Sequence, residues 1–131
     1  MRAERSGSAS TWGSEVRAHA FACAALVLVA CTTEIALDDY PCPPGGTKLT
    51  YDSFGSAFMA RHCQTCHGQT NDARNGAPEG YDFGTLAAIR EQKARIFARA
   101  AADNVTMPPG PDDPPARERE QLAEWLACGV P

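Results

Sequence analysis

Downstream of Thr50 the apolar positions group into three helical stretches, separated by two long intervals rich in Gly, Pro and Asn. Tyr51, Phe54, Gly55, Phe58, Met59 and His62 recur at i, i+3, i+4, i+7, i+8 and i+11, the spacing of one face of an amphipathic helix. Thr50 is placed to cap its start, and the stripe continues through Cys63 and Cys66. Gly68 to Gly84 lacks periodicity and carries turn formers such as Asn75, Gly76, Pro78, Gly80 and Asp82, which predicts a loop. Thr85 or Asp82 then caps a stretch in which Leu86, Ile89, Ile96, Phe97 and Ala100 keep a helical period to about Ala102, as one helix or two abutting ones. A second loop, Asp103 to Asp113, centres on Thr106, Met107, Pro108, Pro109, Gly110 and Pro111. Asp113 as N-cap, with Pro114 at the first helical position, opens the last helix, whose apolar face is Leu122, Trp125 and Leu126. Gly129 stands where a helix ends in the left-handed conformation. No strand alternation, internal repeat or membrane-length apolar run appears downstream of residue 30, so the predicted class is all-α with three to four helices.

The chain's first thirty residues read differently. Arg17 precedes an apolar run from Ala18 to Ala30, interrupted only by His19, too short to span a bilayer comfortably but fitting the core of a secretory signal. Its end, Leu28, Val29, Ala30, Cys31, resembles the lipobox of bacterial lipoproteins. That resemblance implies a signal over residues 1–30, cleavage before Cys31 and lipid on Cys31; the alternative is an uncleaved N-terminal anchor. Both place the protein outside the cytoplasm at a membrane surface, in the periplasm or at the outer cell surface. Glu4, Trp12 and Glu15 dilute the basic start of such a signal, so translation is expected to begin at Val16, a reading that recovery of a precursor containing Trp12 would overturn. Residues 31–47, with Asp38, Asp39 and several Pro and Gly, read as a tether that becomes ordered near Cys42. The folded domain is expected over 48–131.

Charge excludes one class of partner. Losing residues 1–30 removes three arginines and two glutamates, leaving nine basic and fourteen acidic residues, a formal charge of −5 against −4 for the whole chain. Nucleic-acid binding needs a basic footprint that this balance does not supply. The sign mildly favours partners with basic docking patches.

The chemistry sits at Cys63, Gln64, Thr65, Cys66 and His67. Two cysteines three apart with histidine next is the attachment signature of c-type haem. On one helical turn the two thiols can add to the vinyl groups of one porphyrin while the adjacent imidazole ligates iron. Three alternatives stand beside it. A redox Cys-x-x-Cys should follow a strand in a βαβ unit, yet the preceding residues read as helix. Half a zinc site would want a second Cys/His pair, and none is present in the sequence. A structural disulfide would leave His67 unexplained. A covalent haem c also gives the long loops something to pack on, because each Å² of apolar surface removed from water contributes roughly 25 cal/mol. Ala77, Pro78, Tyr81 and Phe83 are placed to line it.

Of six cysteines, Cys23 leaves with the signal, Cys31 takes lipid, and Cys63 with Cys66 take haem. Cys42 and Cys128 remain, and in an oxidising compartment two leftover thiols are expected to pair; two free buried cysteines are the alternative. The distal iron ligand is expected to be Met107, forty residues after His67 in a proline-stiffened loop. Met59 and His62 lie too close to the proximal helix to reach the far face. The alternative is a five-coordinate iron with Met107 packed on the haem.

The chain resembles the class I c-type cytochromes, specifically a small monohaem bacterial lipoprotein version, over the whole domain after the signal. Cys63 to His67, the Thr106–Met107–Pro108 loop and the terminal helix carry the resemblance. It implies a cytochrome c fold in which the first and last helices cross at Gly55, with Leu122 and Trp125 on the partner helix. Met59 stands where the family has an aromatic, a departure that Phe58 offsets. It further implies that the carbonyl region of Ala77 and Pro78 accepts a hydrogen bond from His67, and that a Cys42–Cys128 bond would staple the crossing helices. The expected function is one-electron transfer between a redox donor and an acceptor protein, by a monomer that is not an enzyme and is held to the membrane by lipid. Arg90, Lys93, Arg95 and Arg99 are expected chiefly as a solvated face, with pairing to haem propionates or a docking patch as the alternative. The runner-up is a haem-based sensor or weakly peroxidase-like protein with an open distal position, and the third reading is a non-haem lipoprotein held by disulfides.

Overall fold

Thr50 starts the first helical stretch with a reciprocal cap. Its hydroxyl accepts from the Ser53 amide at 3.1 Å while the Ser53 hydroxyl accepts from the Thr50 amide at 2.9 Å, satisfying donors that a helix start leaves orphaned. In the computed structural model, which describes residues 35–69 and 74–131, this cap opens a wide π turn over Tyr51–Gly55. The turn runs into α1 (Ser56–His62), a break at Cys63 and the short α2 (Gln64–His67). α3 (Leu86–Ala100) and α4 (Ala116–Ala127) complete the helices, with single 3-10 turns at Leu37–Asp39 and Arg74–Gly76. Among the described residues the structure is helix and loop with no strand, as the all-α reading expects. The expected signal, its cleavage point and Cys31 lie outside the described residues.

The apolar stripes of α1, α3 and α4 meet in one core. Phe58, Met59, Ile89, Phe97, Leu122, Trp125 and Leu126 are all at most 2% exposed, and full burial of each such side chain contributes about 1.5–3 kcal/mol. The α1 lead-in and α4 meet closely at Gly55. A Cβ there would lie 2.3 Å from the Trp125 ring, so only glycine admits this contact. α3 is one helix, capped by the Thr85 hydroxyl accepting from the Ala88 amide at 3.2 Å.

The end of α4 follows the expected left-handed stop. Gly129 has φ +89°, its amide donates to Leu126 at 3.1 Å and Val130 donates to Trp125 at 3.0 Å, the paired bonds of a Schellman motif. Pro131 is then tied back to the start of the fold, accepting from the Tyr51 amide at 2.8 Å.

Two boundaries differ from expectation. α4 begins at Ala116 and not at Pro114, with Pro115 extended at ψ 149° as the residue before it. Pro115 clashes with a helical conformation at the residue preceding it, so Pro114 cannot open the helix, and Asp113 pairs with Arg119 at 3.2 Å instead of capping. The segment expected as tether is packed on the domain from Leu37, which is buried. Tyr40 meets Phe97 edge-on at 5.4 Å and donates its hydroxyl to Glu120 at 2.5 Å. The Thr47 hydroxyl donates to Glu124, also at 2.5 Å. Cys42 and Cys128 form a disulfide spanning 86 residues, the pairing expected from the cysteine count.

Candidate functional site

The α1 ladder ends where chemistry begins. Cys63, at φ −120° and ψ −43°, leaves helical geometry, yet its amide still donates to Met59 and its carbonyl accepts from Cys66 and His67 at 3.2 and 2.8 Å. This one-turn offset sets Cys63, Cys66 and His67 along one wall of a cavity of about 330 Å³, within the roughly 300–1,000 Å³ typical of small-molecule sites. Phe58 and His62 of α1, Pro78, Tyr81 and Phe83 of the loop that follows α2, and Ile96 and Ala100 of α3 also line it. Met107, Pro108 and Pro109 form another part of the lining. The cavity thus gathers Cys63, Cys66, His67, Ala77, Pro78, Tyr81, Phe83 and Met107, the residues expected to touch a haem.

His67 is oriented on two sides. Its Nδ1 lies 2.6 Å from the Tyr81 carbonyl. A carbonyl can only accept, so Nδ1 is the donor, which in the neutral ring leaves Nε2 the lone pair a metal requires. Its ring stacks on Phe83 at 4.6 Å and 23°, and Phe83 is pinned by donating its amide to the His67 carbonyl at 2.8 Å. The Gln64 side chain donates to the Phe83 carbonyl at 3.3 Å from the same turn.

The orienting carbonyl therefore belongs to Tyr81, not to Ala77 or Pro78. Those two carbonyls accept from Arg74, at 3.2 Å from Nε and 2.8 Å from Nη2. Arg74 also pairs with Asp82, so one guanidinium holds the whole turn in place. Ala77 and Pro78 remain lining residues.

Cys63 and Cys66 are not joined to each other. Burial, then the neighbouring Cys66, pushes the Cys63 thiol up to about 12. A redox Cys-x-x-Cys nucleophile carries the opposite shift. Among the described residues no group of three or more His, Cys, Asp or Glu side chains gathers as for a metal ion. An imidazole, a thioether and two free thiols lining one cavity are a donor set that fits a covalent haem.

Several site residues carry no motif. His62 Nε2 lies 3.2 Å from Glu118, which also accepts from Arg61 at 3.1 and 3.2 Å, linking the proximal turn to α4. Arg119 is 3% exposed, the buried charge of the core. Its signal was present in the sequence, because Arg119, Leu122, Ala123 and Leu126 fall at i, i+3, i+4 and i+7. A charge on the buried stripe must find buried acceptors. Arg95 and Arg99, expected on a solvated face, line the cavity, with Arg95 4.7 Å from the centre of the Tyr81 ring. Arg90 instead donates to the Val130 carbonyl at 3.0 Å.

Comparison with family models, with curated proteins and with solved structures found no match.

Proposed function

We propose that this protein is a membrane-tethered one-electron carrier outside the cytoplasm, with a single haem c bound through Cys63 and Cys66. The observation that carries the reading is the shared cavity: Cys63, Cys66 and an Nδ1-protonated His67 line it together with Met107. When bound, a haem with histidine and methionine ligands supplies a reversible one-electron couple whose potential the thioether raises. The chain's own residues do the rest. His67 offers Nε2 because Tyr81 holds the Nδ1 proton, and an acceptor on the far nitrogen also makes the ligating one more basic. Phe83 fixes the plane of the imidazole. Met107 on the iron would fill the last position and leave no place for a substrate, so the reading is of a carrier and not an enzyme. Phe58, Ile96 and Ala100 keep water from the cofactor's face. Arg95 and Arg99 offer cations to its propionates. Partners in this reading are a redox donor and an acceptor protein, with lipid on Cys31 holding the carrier to the membrane.

The test is an optical spectrum of protein matured in an exporting host with a haem attachment system. The expected result is a c-type spectrum that survives denaturation, absent from a Cys63→Ser, Cys66→Ser variant, and a weak ferric band at the red end that disappears in Met107→Ala. High-spin ferric iron in the wild type would assign the chain to the sensor or peroxidase-like class instead. A colourless product would leave a non-haem lipoprotein.

A further inference from the structure

The loop that bears Met107 has little apolar packing of its own: Met107 is 40% and Val105 63% exposed. What fixes it is a set of hydrogen bonds converging from two helices. From α3, the Arg99 carbonyl accepts from the Met107 amide at 2.9 Å and the Thr106 hydroxyl at 3.1 Å, and Phe97 accepts from the Asn104 side chain at 3.1 Å. From α4, Arg119 Nη1 donates to the carbonyls of Ala100, Asn104 and Met107 at 2.9, 2.8 and 3.1 Å. The same residue's carbonyl accepts from the Ala102 amide at 3.1 Å.

We propose that Arg119 is the positioning residue for Met107, a buried guanidinium whose bonds to the carbonyls of Ala100, at the end of α3, and of Asn104 and Met107, in the loop, hold the thioether at the cavity. The inference rests on the reading of Met107 as iron ligand. A buried cation is a poor device for stability alone, since its desolvation offsets much of what it gains. Here the cation reaches from the end of α3 to Met107, and besides Asp113 its acceptors are backbone carbonyls, Ala100 at the end of α3 and Asn104 and Met107 in the loop. Asp113, 3.2 Å from Nη2, holds the guanidinium's other edge and sets its plane. Removing the guanidinium leaves three carbonyls without their donor and Met107 tied by its amide only. Iron released by a wandering thioether would then accept an outside ligand.

The test uses the haem-loaded protein and its Arg119→Met, Arg119→Lys and Asp113→Asn variants, each checked for covalent haem and helix content. In Arg119→Met the methionine–iron band is expected to fade and the affinity of ferric iron for added imidazole to rise about tenfold or more. Arg119→Lys, which returns a cation and three donors without the fork, is expected to restore part of the band. Unchanged band and imidazole affinity in Arg119→Met, even with a lower melting temperature, would overturn the proposal by showing a structural role alone. Should Arg119→Met fail to fold, Asp113→Asn decides: a rise in imidazole affinity of about threefold supports the proposal, and none overturns it. A wild type that lacks the band defeats the ligand assignment itself, whatever the variants do.

Discussion

The parts of the cavity lining that carry His67 and Met107 are held in different ways. The wall carrying Cys63, Cys66 and His67 is made of neighbours in sequence, its bonds running between Met59 and Phe83. The part carrying Met107 is tied to the end of α3 through Arg99 and, in addition, held by Arg119 and Asp113, from a different helix and the loop before it. A local wall forms as its helix forms. A wall held from elsewhere exists only when the tertiary fold is complete, and it is the first to yield when that fold loosens. In the proposed function this means that the proximal ligand persists under stress while the distal one is the variable part.

Opening the disulfide is expected to have the largest effect on both parts of the lining. Cys42→Ser with Cys128→Ser removes an 86-residue closure, worth about 4 kcal/mol in the chain-entropy model. A urea titration should show the midpoint falling, with the methionine–iron band lost ahead of helix content because α4 carries the clamp. Next is Gly55→Ala, which drives a methyl group into Trp125 and is expected to cost about 1–3 kcal/mol by overpacking; this separates α1 from α4 and strains both walls in thermal unfolding. Phe83→Leu removes the ring stacked on His67 at about 1 kcal/mol. It tests the proximal wall alone, and the Met107 band should survive it.

The smallest effect is one of pH. Burial and then the bond to Glu120 hold Tyr40 at about 12 against an ordinary 10. The neutral hydroxyl is favoured in the fold, so its contribution is intact below pH 10 and is lost as pH rises toward 12. The difference in melting temperature between wild type and Tyr40→Phe should shift over that window and stay flat below it.

Periodicity made the core legible because Phe58, Phe97, Leu122 and Trp125 each repeat on a helical face, and Gly129 and Thr50 bring their own stop and start chemistry. The proximal residues were legible for the same local reason. Ala77 and Pro78 misled because carbonyls carry no residue-type signal: any backbone can accept, and Arg74 takes those two while Tyr81 reaches His67. Leu37 and Tyr40 went unread as core because two isolated apolar positions among Asp and Pro show no period. Arg119 was legible only as an anomaly, a cation on an apolar stripe, with its acceptors hidden in a loop whose path is not periodic.

The disulfide also sets the route by which mechanical load crosses the molecule. A pull on the N-terminal side meets the docked Leu37 and Tyr40, then passes through Cys42 into Cys128 at the end of α4. Every cavity residue from Phe58 to Pro109 lies inside the closed loop. Tension between the chain ends therefore bypasses the site, and a pull from upstream of Cys42 leaves the segment between His67 and Met107 unstretched.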